Sequence, residues 1–135
     1  MVPEPPVWYQ EPIRVGEALA LAIHGRQISE HGGVGGVRDA TLLRSALANP
    51  RNLFEYDPDA ADFARLAAAY LYGIVNNHPF IDGNKRTGLV ICGVFLRLNG
   101  QRLAAPQREL YAIVMAAASG ESDEEESARF IRGYG

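Results

Sequence analysis

NNHPFIDGNKRTGLVICGVFLRLNG, residues 76–100, divides into two halves of opposite character. The first half gathers His78, Asp82, Asn84, Lys85 and Arg86, punctuated by Pro79 and Gly83. The second half, residues 89–98, is apolar almost all round, and a helix that is hydrophobic on every side is a buried helix. The stretch therefore predicts a turn crowded with polar groups at the start of a central, fully buried helix.

The chemistry of that turn points to phosphate. Asp82-Gly83 is a turn signal, with Gly83 free to take the positive φ of a tight turn. Asn84 reads as the helix N-cap. The unpaired N–H groups of a first helical turn and the positive end of the helix dipole make an anion site. Lys85 and Arg86 add two cations, Arg86 with the fork that grips phosphate oxygens in a bidentate way. Cations at a helix N-terminus oppose the dipole unless an anion is bound, which is the argument for a ligand rather than a solvated first turn. Asp82 would repel bare phosphate and makes sense as a ligand for Mg²⁺ shared with nucleotide phosphates. His78 carries an imidazole, the side chain best suited to general acid or base work near neutrality. Each residue also has a plain reading: His78 as loop packing, Asp82 as a cap, the Lys85–Arg86 pair as solvent-facing charge.

HPFIDGNKRTG, residues 78–88, resembles the signature loop of the Fic/Doc superfamily, and within it the version of the death-on-curing (Doc) toxins, H-x-F-x-D-[G/A]-N-K-R-T. Lys85 stands where adenylylating members have a second glycine, and Leu89 where they have a second arginine. The length, the glycine-rich segment 31–36 and the FLRLNG helix end are similar too, so that the resemblance covers residues 13–134. It implies an all-α helical bundle around the 84–98 helix, with room for a small β-hairpin. It also implies catalytic roles for His78, Asp82 and Lys85, phosphate contacts from Gly83, Asn84, Lys85, Arg86 and Thr87, and a buried Phe80 that anchors the loop.

At 135 residues the chain fits one domain with a real core, divided here into a proline-rich arm, 1–12, and a Fic/Doc-like domain, 13–135. A net charge of −3 gives no electrostatic case for nucleic acid or an anionic membrane. The single cysteine, Cys92, lies in an apolar run, no run reaches the length of a membrane span, and no signal peptide is evident. A cytoplasmic protein is expected.

In the arm, Val7, Trp8 and Tyr9 are read as pins to the body. Val15, Ala18, Leu19, Ala22 and Ile23 are expected to share the buried face of a first helix. His24 and His31, seven apart with no third ligand, are read as surface or capping residues rather than a metal site. HGGVGG, residues 31–36, ends this helix and does not match a dinucleotide-binding fingerprint. The resemblance makes the segment 36–39, extended to 49–56, a flap beside the active groove. Asp39 caps a second helix that stops at Asn49-Pro50, leaving 51–58 irregular. Asp59 caps a third, with Phe63, Leu66, Ala67, Tyr70, Leu71, Ile74 and Val75 as its stripe. Pro106 begins a fifth helix, and Ser122 with Glu125 forms a capping box for the last.

The resemblance implies a toxin of a toxin–antitoxin system: a kinase that moves the γ-phosphate of ATP, with Mg²⁺, to a threonine of elongation factor Tu and so arrests translation. No inhibitory [S/T]-x-x-x-E-[G/N] helix occurs, so inhibition is expected in trans, from an antitoxin whose C-terminal segment folds into a groove. Two alternatives are an adenylyltransferase of the usual Fic polarity and a non-catalytic phosphate-binding module.

Overall fold

The computed structural model describes residues 11–134, so the reading of Val7, Trp8 and Tyr9 lies outside the described residues. Six helices follow one another: α1 Glu17–His31, α2 Ala40–Tyr56, α3 Phe63–Asn77, α4 Asn84–Leu98, α5 Gln107–Ser119 and α6 Glu124–Tyr134. Among the described residues there is no strand, only an isolated antiparallel bridge between Val37 and Phe80. The fold is all-α, and the expected room for a hairpin reduces to that one bridge.

The helix at the centre is α3, not α4. FARLAAAYLYGIVNN buries Ala64, Leu66, Ala67, Ala68, Ala69, Tyr70, Leu71, Ile74 and Val75, and it touches α2, α4, α5 and α6. Small side chains make this possible by letting neighbours approach from several sides. A Cβ on Gly73 would lie 3.1 Å from the Ala46 Cβ of α2. The α4 helix buries one face through Thr87, Gly88, Ile91, Cys92, Phe95 and Leu96. Its bulkier Leu89, Val90 and Val94 are only partly covered. An apolar run gave α4 the look of an all-round core helix, but the alanines of α3 are what admit close neighbours.

Where α4 meets α3 the approach is close at Gly88, whose added Cβ would lie 2.9 Å from Val75 Cγ2. The Tyr70 and Phe95 rings meet at 5.0 Å across the same seam. Tyr70 then donates nothing to solvent; its hydroxyl oxygen accepts the Val15 N–H at 3.1 Å and ties down the chain ahead of α1.

Several boundaries differ from expectation. Pro50 lies inside α2, buried, and the helix runs on through 51–56. One missing N–H is tolerated because the turns on either side keep theirs and Leu53 and Phe54 are packed against the core. Asp39 does cap α2, accepting from Leu42 N at 3.0 Å. The cap of α3 is Asp62, which accepts from Arg65 N at 2.8 Å. Asp59 instead sits in a turn closed by Asp57, whose carbonyl accepts from both Ala60 and Ala61. Pro106 is the residue before α5. The reciprocal cap of α6 is Asp123 with Glu126, one position on from the expected pair; Ser122 is buried instead. In α1 the buried face is Ala20, Ile23, His24 and Gln27. Its apolar residues are spread round the helix, so periodicity alone pointed to a face that solvent reaches at Leu19.

Candidate active site

The α3 helix delivers the chain to His78, whose backbone turns left-handed at φ 50°, ψ 55°. It is the one described non-glycine residue with positive φ, a conformation that costs energy and persists only where surroundings impose it. The imposing partners are visible. Arg38 donates from Nε to the His78 carbonyl at 2.6 Å and from Nη2 to the Asn77 carbonyl at 2.8 Å. The N–H groups of Arg38 and Asp39 both reach the Pro79 carbonyl, and Ile81 N–H reaches the Gly36 carbonyl. Segment 36–39 is thus laced to the loop, whereas 49–56 belongs to α2 and lines a different surface with Glu11 and Pro12. Segment 36–39 therefore braces the loop from behind, the groove being lined by residues 78 and 81–86 instead, and the extension to 49–56 does not lie beside it.

Phe80 is fully buried, its ring stacked on His24 at 3.9 Å and 5° between planes. Its backbone N–H and C=O are both bonded by the Asn84 side chain at 3.0 Å. Asn84 is therefore not the N-cap. Gly83 takes that position at φ 75°, ψ 20°, with no side-chain cap. Its buried amide is committed to Phe80, so what Asn84 offers a ligand is its backbone. The N–H groups of residues 84–86 have no carbonyl of a preceding helical turn to bond, and the dipole of α4 adds to their pull on an anion.

Asp82 is exposed and held by three bonds. Its Oδ1 accepts from Gly83 N at 2.8 Å, its Oδ2 from Val34 N at 3.2 Å, and its backbone carbonyl from His24 Nε2 at 2.8 Å. Gly33 makes room, since a Cβ there, at φ 117°, would lie 2.7 Å from Asp82 Oδ2. The Val34 N–H first and the Gly83 N–H second hold the carboxyl below the usual carboxylate range.

Arg86 points elsewhere than expected. Its Nη2 donates to the Gly32 carbonyl at 3.0 Å and its Nη1 to the His31 carbonyl at 3.4 Å, so it closes the C-terminus of α1, where a cation is favoured. Lys85 is exposed. Thr87 is fully buried with an unpartnered hydroxyl, and it does not line the groove.

The groove itself, about 370 Å³, is lined by His78, Ile81, Asp82, Gly83, Asn84, Lys85 and Arg86. One acidic side chain faces it, and among the described residues no cluster of three or more His, Cys, Asp or Glu exists to hold an ion unaided. That donor set fits Mg²⁺ carried with phosphates, which needs one or two carboxylates. A second open groove of about 600 Å³ begins at Lys85 and Arg86 and continues over Leu89, Leu110, Tyr111, Val114 and Met115.

Two residues escaped the sequence reading: His24, taken as a surface or capping residue, and Arg38, to which the sequence alone gave no role. Each acts across 39 to 58 positions of chain, and nothing local to either signals its partner.

A model of the Fic/DOC family matches residues 14–96, which include the whole loop and groove-lining turn. Over 102 residues, 75% of this chain and 79% of the relative, the chain is 33% identical to a protein of Escherichia phage P1 named protein kinase doc. Over 72 residues it is 44% identical to toxin Doc of Mycolicibacterium smegmatis, covering 51% of this chain and 53% of that one.

Proposed function

The chain belongs to the Fic/DOC family, and from that premise we propose that it is a Doc-like toxin acting as an ATP-dependent protein kinase on a hydroxyl of a translation factor. The observation that carries the reading is the groove over the uncapped start of α4. It unites an imidazole, an ionised carboxylate and Lys85 within one turn of backbone. The relatives named protein kinase doc and toxin Doc supply the reaction class and the biological setting.

In this reading His78 takes the proton of the target hydroxyl, its unusual backbone placing the imidazole at the groove wall. The N–H groups at the start of α4 and the Lys85 ammonium stabilise charge on the phosphates. Arg86 contributes through its field and by fixing α1 rather than by a bidentate grip. Asp82 would hold Mg²⁺, which would supply positive charge to offset that of the ATP phosphates. Leu89 lines the apolar groove, where an arginine would be needed for the adenylylating arrangement, and that groove suits a nucleobase. Elongation factor Tu is the target the family implies, and a small antitoxin, whose C-terminal segment folds onto the toxin, is the partner. A cytoplasmic setting goes with both; no described helix is long and apolar enough to cross a membrane.

His78→Ala tests the assignment. The variant should retain ATP binding by calorimetry and lose transfer to protein. Loss of binding with transfer surviving in proportion would refute the role given to His78.

A further inference from the structure

The turn that presents the phosphate seat has a weakness built into it. Gly83 sits at φ 75°, but glycine populates both signs of φ almost equally. Rotating the Asp82–Gly83 peptide by half a turn would therefore meet little local resistance. In a trans peptide the C=O and N–H point in opposite directions. The flip would withdraw the Gly83 N–H from the Asp82 carboxylate and turn a carbonyl oxygen toward the anion seat, replacing a donor by a negative dipole.

The lock comes from outside the loop. His24, 4% exposed, reaches from α1 to the Asp82 carbonyl at 2.8 Å. A carbonyl only accepts, so Nε2 must carry the proton. The ring cannot swing away because it lies flat on the buried Phe80 ring, and Phe80 is in turn held at both backbone groups by Asn84. Ile28, one turn further along α1, closes the other side; its Cδ1 would be 3.2 Å from a Cβ on Gly83.

We propose that His24 is a positioning residue, buried in α1, that locks the Asp82–Gly83 peptide so that its carbonyl faces the core and its N–H faces the Asp82 carboxylate and the groove. The inference rests on the phosphate reading above for its consequence but not for its geometry. His24 touches no reacting atom; it acts through the turn.

The test has two arms. In the unmodified full chain, ¹⁵N spectra should show His24 with its proton on Nε2 and exchanging slowly; a bare Nε2 would overturn the lock whatever the protein binds. His24→Phe keeps the stacked ring and removes the donor. It should stay folded but melt a few degrees (roughly 2–8 °C) below the parent, speed hydrogen exchange at the Gly83 amide, and weaken ATP binding by about tenfold, the scale of one lost buried hydrogen bond. His24→Gln, which restores an N–H donor, should recover part of that affinity. Parent-like ATP affinity and Gly83 exchange in His24→Phe would overturn the proposal. Should that variant fail to fold, the tautomer and exchange of His24 in the parent decide alone. Failure of the parent itself to bind ATP would sink the functional reading and leave the lock standing on its spectrum.

Discussion

Asp82 shows how much of this site is decided by backbone donors. Its carboxyl is held low by the N–H groups of Val34 and Gly83. A group whose pKa is lower in the folded than in the unfolded state stabilises the fold above its unfolded pKa, and that contribution is lost as pH falls through the folded value. The contacts that shape the turn should therefore be intact from neutrality down to about pH 4 and loosen only below it. Hydrogen exchange at Val34 and Gly83 across that range checks this; protection lost already near pH 6 would contradict it. Asp82→Asn keeps acceptor capacity but removes the charge, and it should fold while Mg²⁺ no longer strengthens ATP binding. Cys92, in the helix that begins at the groove, is the opposite case. Burial pushes its thiol up to about 12, so maleimide should leave the folded protein unlabelled and react only after denaturation.

Elements are where the sequence was read best and also where it misled. The stripe of α3 and the place where α4 starts were both legible, because periodicity and a Gly-Asn-Lys-Arg turn are local signals. The rank of the two helices was not. It depends on how close neighbours come, and that is set by Gly73 against Ala46 and Gly88 against Val75 and Ile74, contacts between segments far apart in sequence. Asn84 was misread for a different reason: a cap and a clamp on the preceding loop use the same side chain, and here it serves Phe80, four residues back, rather than the helix end. His24 lay beyond reach, since its partner is 58 residues away. The α3–α4 seam makes a sharp prediction. Gly88→Leu would force a branched side chain onto Val75 and should cost about 1–3 kcal/mol of stability in urea unfolding; an unchanged midpoint would mean that the seam is looser than described.

At the scale of the whole molecule, α5 and α6 lie beyond the residues that match the family model, and α6 is tied back to α3 by ion pairs. Asp62 caps α3 and also accepts from Arg132 at 2.8 and 3.1 Å. The arginine is the main reason the Asp62 carboxyl lies below its usual range, so this tie too is present above the ordinary carboxylate pKa and fails as pH drops beneath it. Both side chains of the pair are about half exposed, which limits its worth in water. Asp62→Ala should cost about 1–2 kcal/mol, most of it the lost cap. Arg132→Ala should cost less and depend on salt. Equal losses would show that the ion pair, not the cap, dominates. Because these ties are remote from the groove, neither change should alter ATP affinity.

The central claim is that this groove presents the γ-phosphorus of ATP to a protein hydroxyl, and one experiment addresses it directly. The full chain is incubated with a bacterial lysate and Mg²⁺ and with ATP labelled either at the γ-phosphate or in the adenine, the His78→Ala variant serving as control. The account predicts γ-label on a single protein band of the size of elongation factor Tu, absent with His78→Ala and absent from the adenine-labelled reaction. Adenine label on protein would contradict it, by showing that Lys85 and Leu89 leave the nucleotide in the adenylylating orientation.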